Sequence, residues 1–170
     1  MNKEISGYSF DDEQTGYVFH AIRGEGSYRM PIPAGDTTKL QVVANDDVSR
    51  FRFVESVEAS HGNQEQQNAI AKAVGIKTDS VRVDSQAKYG IVSSGEAALY
   101  LRLPSPKYPD YRENIWDHAA GAIVVEEAGG TVTDMYGKPL DFASASKMYD
   151  NRGVVVSNGL IHDSVIEALK

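Results

Sequence analysis

Near residue 51 the chain changes rhythm. Before that point strands follow strands, and after it strands alternate with helices. Residues 16–22 and 27–32 read as two strands joined through Arg23-Gly24-Glu25-Gly26, whose glycines supply the positive φ of a hairpin turn. Pro31, Pro33 and Gly35 then break the pattern. Residues 51–57 alternate like a strand, and residues 63–74 place Ile70, Ala71 and Val74 on one helical stripe with Gly75 as its stop. A short strand at 81–83 follows, then a helix over 85–95 opened by Ser85, and a strand at 97–103 ended by Pro104 and Pro106. A helix over 117–128 stops at Gly129-Gly130, strands follow at 131–133 and 153–157, and a last helix covers 161–169. This order predicts an α/β fold: a mixed, mainly parallel sheet of about five strands between helices, preceded by an N-terminal β-hairpin.

The 170 residues suffice for one substantial core without disulfides, and the absence of cysteine removes thiolate metal sites and a Cys nucleophile. Hydrophobic residues at 41% and charged residues at 24% exclude a disordered or collagenous chain. A formal net charge of -7 argues against a nucleic-acid polymer or an anionic membrane as the general partner, while leaving room for a local basic pocket. Residues 1–5 carry no apolar run of a secretory signal, and the longest apolar run, 119–125, is too short to span a bilayer, so a cytoplasmic protein is expected.

In open α/β sheets ligands sit beyond the carboxyl ends of the strands, which directs attention to four residues. Ser85 and Lys88 flank the start of a helix, where unpaired N–H groups and the helix dipole favour a phosphate. A Ser cap with a solvated Lys is the commoner meaning of that pattern. Arg102 lies near the end of a strand on which Leu99, Leu101 and Leu103 share one face and Tyr100 and Arg102 the other. An inner Arg needs an anionic partner, which can be a ligand or a structural carboxylate. His61 follows the strand at 51–57 and, taken alone, reads as a loop imidazole. What joins His61, Ser85, Lys88 and Arg102 is that all fall at successive strand ends, where they could meet on one anion. Asp117 opens the next helix, as a cap or as a carboxylate for a hard cation or a water. Glu126 and Glu127 lie at the other end of that helix and read as solvated or ion-paired.

Trp116-Asp117-His118-Ala119-Ala120-Gly121, followed by Glu127-Ala128-Gly129-Gly130, resembles the second signature of the inositol monophosphatase superfamily of metal-dependent, lithium-sensitive phosphatases. Pro139-Leu140-Asp141-Phe142 also fits it. His61-Gly62 with Glu65-Gln66, Asp84-Ser85-Gln86-Ala87-Lys88-Tyr89 and Tyr100-Leu101-Arg102-Leu103-Pro104 are similar to the 3'(2'),5'-bisphosphate nucleotidases within it. The resemblance implies that His61, Ser85, Lys88, Arg102 and Asp117 bind an adenosine 3',5'-bisphosphate-type substrate. It implies that Asp117 is catalytic by holding one Mg²⁺ ion. An inositol phosphate phosphatase or a non-catalytic nucleotide-binding domain is the alternative.

The family's Asp-Pro-x-Asp-Gly-Thr/Ser segment does not occur here. Asp11-Asp12-Glu13 has the wrong spacing, and Asp46-Asp47 lacks the Pro and Gly. The resemblance therefore implies a C-terminal substrate-side domain over 45–170, with 1–44 a hairpin remnant of an N-terminal sheet domain. Such a chain is expected to be inactive alone and to depend on a missing N-terminal domain or a second chain for the other metal ligands.

Overall fold

A computed structural model describes residues 16–45, 47–58 and 62–170. β1 (Gly16–Ile22) and β2 (Gly26–Ile32) form the expected antiparallel hairpin, and β3 (Thr38–Lys39) pairs with the free side of β2. Gly24 and Gly26 adopt φ of +84° and +92°, as the turn requires. One face of the hairpin enters the core through Phe19 and Ala21, and the Phe19 ring lies against Gly90, where a Cβ would meet it at 3.0 Å. The residues between, Val18, Ile22, Met30 and Ile32, are exposed.

The main sheet contains β4 (Phe53–Glu55), β5 (Val81–Arg82), β6 (Leu99–Arg102), β7 (Thr131–Thr133) and β8 (Val154–Ser157), in the order β5-β4-β6-β8-β7. β4 runs parallel to β5 and β6, while β8 is antiparallel to both β6 and β7. Four strands thus point one way and β8 alone the other, the mixed sheet that the alternation predicts. α1 (Gln64–Ala73) and α4 (His162–Ala168) cover one face; α2 (Ala87–Ser93) and α3 (Ala119–Glu127) cover the other. The alternation along β6 sorts as expected. Leu99, Leu101 and Leu103 join the α1/α4 core with Ile70 and Val165, and Tyr100 joins Tyr89 and Ala122 in the α2/α3 core.

Two helix starts differ from expectation. α2 begins at Ala87, and Ser85 does not cap it. Ser85 has φ +59°, whereas an N-cap sits in the extended region; Gln86 is already helical. Asp117 does not cap α3 either. It ends a single 3-10 turn over Ile115–Asp117, and His118 at φ -134° resets the backbone before α3. α1 begins as predicted, with Asn63 Oδ1 accepting the Gln66 N–H at 3.2 Å.

Glu126 and Glu127 take a specific role. The Glu127 carboxylate accepts the Gly24 and Gly26 N–H groups at 3.0 Å each, and Arg23 pairs with Glu126 at 2.7 Å. The C-terminal end of α3 therefore seats the hairpin turn. The two amide bonds, with Arg23, hold the Glu127 carboxyl below its ordinary range.

Candidate functional site

β5, β4 and β6 are parallel neighbours, so their carboxyl ends meet on one side of the sheet. A cavity of about 410 Å3 opens there, lined by Ser85, Lys88, Arg102 and Asp117 among others. The structure thus brings four of the five predicted site residues together. The fifth, His61, lies outside the described residues.

Each wall of the cavity comes from a different element. After β5, Asp84 accepts the Val57 N–H at 3.1 Å and ties the β5 and β4 ends together. Ser85, alone among non-glycine described residues in having positive φ, then turns the chain into α2. A serine held in that region costs of order 1–3 kcal/mol and persists only where its surroundings fix it. Gln86 Nε2 donates to the Trp116 carbonyl at 3.1 Å and closes the rim towards the 3-10 turn.

Lys88 is 4% exposed, so it is not the solvated side chain of an ordinary helix start. Its ammonium donates to the Val83 carbonyl at 3.4 Å and stands 5.2 Å from the centre of the Tyr100 ring. Burial pushes its pKa down from 10.5 to about 8, with Asp84 acting against the shift and Arg102 adding to it. Lys88 therefore keeps a charge that its surroundings do not fully satisfy.

Arg102 has a structural carboxylate: its Nε donates to Glu113 Oε1 at 3.0 Å. The other oxygen, Glu113 Oε2, lies 3.2 Å from His118 Nε2, and His118 Nδ1 lies 2.7 Å from the Tyr89 hydroxyl. Burial raises the Glu113 carboxyl, but the His118 bond and Arg102 more than offset it, and its pKa falls below the ordinary 4.5. An ionised Glu113 only accepts, so His118 Nε2–H donates to it, and Nδ1 hydrogen-bonds with the Tyr89 hydroxyl. Tyr89 is fully buried and its pKa is pushed well up, which keeps its proton on oxygen. The chain Tyr89–His118–Glu113–Arg102 fixes the guanidinium at the cavity wall.

Asp117 is exposed at the mouth, oriented by Asn114 Nδ2, which donates to its Oδ2 at 3.0 Å. Among the described residues no group of three or more His, Asp or Glu side chains is placed to hold a metal ion. Asp117 alone does not make such a site.

Glu113 and His118 escaped the sequence reading. A signal existed for one of them. An inner-strand Arg requires an anion, and only Asp110 and Glu113 lie between Arg102 and Trp116. The spacing could not choose between the two.

The sequence profile of the inositol monophosphatase family matches residues 14–170. The 3'(2'),5'-bisphosphate nucleotidase of Emericella nidulans is 44% identical over 158 residues, which cover 91% of this chain and 44% of that protein. The enzyme of the same name from Schizosaccharomyces pombe is 39% identical over 166 residues, 95% of this chain and 46% of that protein. The chain thus spans about half the length of the curated relatives it matches. Among solved structures, an inositol monophosphatase from Anabaena superposes with TM-score 0.65 at 22% identity, over 90% of this chain and 56% of that one. CysQ from Bacteroides thetaiotaomicron gives 0.63 at 19% identity, over 84% and 54%. At these identities the superpositions speak for the fold alone. No helix among the described residues is long and apolar enough to cross a membrane.

Proposed function

This chain belongs to the inositol monophosphatase family, and within it we propose that the chain is the substrate-side part of a 3'(2'),5'-bisphosphate nucleotidase acting on adenosine 3',5'-bisphosphate. The observation that carries this reading is the meeting of Ser85, Lys88 and Arg102 in one cavity with Asp117 at its mouth. Two partly desolvated cations and a hydroxyl suit a phosphate that is held rather than cleaved. Lys88 supplies a compact charge and Arg102 a planar fork that matches phosphate oxygens. The names of the relatives, at 39–44% identity for the two cited, support the nucleotide over inositol phosphate.

Asp117, open to solvent beside the held phosphate, is proposed as the carboxylate nearest the reacting phosphate and as one ligand of a Mg²⁺ ion. The described residues do not complete that ion's coordination, so its other ligands would come from a further segment or a second chain. Phosphate transfer to water would then depend on both parts, and the 170-residue chain would bind nucleotide without turning it over. The exposed apolar residues Val18, Met30 and Ile32 on the outer face of the hairpin support the companion proposal that residues 1–44 belong with such a part.

Calorimetric titration of the chain with adenosine 3',5'-bisphosphate and, separately, with inositol monophosphate tests the assignment. The nucleotide is expected to bind more tightly. Tighter binding of inositol monophosphate would transfer the site to inositol phosphates.

A further inference from the structure

The charged cavity has a neighbour. A second cleft, of about 430 Å3, is bounded by Leu103, Pro104, Tyr108 and Tyr111 and shares Arg102 and Glu113 with the first. Each lies within the ~300–1,000 Å3 typical of small-molecule sites. Their linings differ in kind. The first offers cations, carboxylates and polar groups, and its two rings, Tyr100 and His118, are each 3% exposed, with Tyr100 under the Lys88 ammonium. The second offers two tyrosines that are 56% and 42% exposed, on an apolar floor. Such large apolar groups at a cleft need a reason to stay uncovered. Their rings are also positioned. Lys107 Nζ stands 5.3 Å from the centre of the Tyr108 ring and Lys147 Nζ 5.2 Å from that of Tyr111. Those ammonium groups put positive charge beside the two rings, which favours an anionic ligand nearby.

A bisphosphorylated nucleoside has the same two-part character: anionic groups joined through a sugar to a flat base. We propose that the cleft of Tyr108 and Tyr111 is the base subsite, with Arg102 at the seam between base and phosphate. This rests on the nucleotide reading above. The cleft recognises the base by stacking on tyrosine faces and burial against Leu103 and Pro104, with the phenol hydroxyls playing no part.

The test compares two probes, adenosine 3',5'-bisphosphate and the base-free ribose 3,5-bisphosphate, by calorimetry at fixed salt. The wild-type chain is expected to bind the nucleotide about tenfold or more tightly than the base-free sugar, as one stacked base implies. Tyr111→Ala and Tyr108→Ala should weaken the nucleotide about tenfold and leave the base-free probe unchanged, while Tyr111→Phe, which keeps the ring, restores binding. Equal affinity of the wild type for both probes would overturn the base subsite while leaving the phosphate site standing. The same follows if the alanine variants weaken both probes alike. Failure of the wild type to bind either probe at millimolar concentration would overturn both proposals. Far-ultraviolet circular dichroism of each variant confirms that the fold is retained.

Discussion

Arg102 Nε and Glu113 Oε1 lie 3.0 Å apart, and the pair is joined through His118 to the buried Tyr89 hydroxyl. The bond links the end of β6 to the segment that leads into α3. Replacing Glu113 by Gln keeps the shape and removes the charge from two hydrogen bonds in a region 10% exposed. The expected loss is about 1–3 kcal/mol, read as a lower urea midpoint. The depressed Glu113 carboxyl makes the loss pH-dependent. Its contribution is complete above the ordinary 4.5 and disappears as pH falls through the lower folded value. The wild-type and Glu113→Gln curves should therefore converge in acid.

Lys88 gives a second pH dependence of the same sign, in the alkaline range. Burial lowers its pKa from 10.5 to about 8, so between those values the unfolded chain binds a proton that the folded chain does not. Stability contributed by this group rises with pH across that window, and below about 8 the buried charge is a cost. An anion in the cavity favours the charged form. Binding of adenosine 3',5'-bisphosphate at pH 8.5 should take up a proton, and affinity should fall by up to about tenfold per pH unit above 8. Calorimetry in buffers of different ionisation heat measures the uptake, which should vanish in Lys88→Met.

Glu127 clamps the hairpin through the Gly24 and Gly26 amides. Glu127→Gln retains a single acceptor oxygen and loses the charge. Those two amides should then exchange with solvent deuterium faster than in the wild type, while amides of β6 and β8 keep their protection. Lowering the pH through the depressed Glu127 value should have the same local effect, because protonation removes the same acceptor.

Gly121 lets α3 approach α2. A Cβ at that position would overlap the Tyr89 ring, which is 2% exposed and cannot move aside freely. Gly121→Ala should cost about 1–3 kcal/mol through overpacking despite the better helix propensity of alanine. A thermal melt reads the loss as a lower Tm.

The layer order was largely legible because each strand and helix carries its own period. Leu99, Leu101 and Leu103 announce one face of β6 by alternation, and glycines at 75 and 129 mark helix ends at φ of +97° and +92°. The helix starts were less legible. Ser85 is a good cap by residue type, yet its backbone sits at φ +59° and the helix starts at Ala87. Ser85, Lys88, Arg102 and Asp117 were found from strand ends and signature residues. Glu113 and His118 were not, because the pairing that joins them to Arg102 exists only after the chain between β6 and α3 folds back. Glu127 shows the same limit. A solvated carboxylate and a clamp on two amides 101 and 103 residues away look alike in sequence.

Titration of the chain with adenosine 3',5'-bisphosphate, comparing Lys88→Ala and Arg102→Ala with the remote Lys72→Ala, tests the phosphate-holding cavity most directly. Each cavity variant should weaken binding by about tenfold or more, the loss expected for a charge-assisted contact of 1.5–3 kcal/mol, and Lys72→Ala should bind like the wild type. Equal affinity in all four proteins would contradict the account.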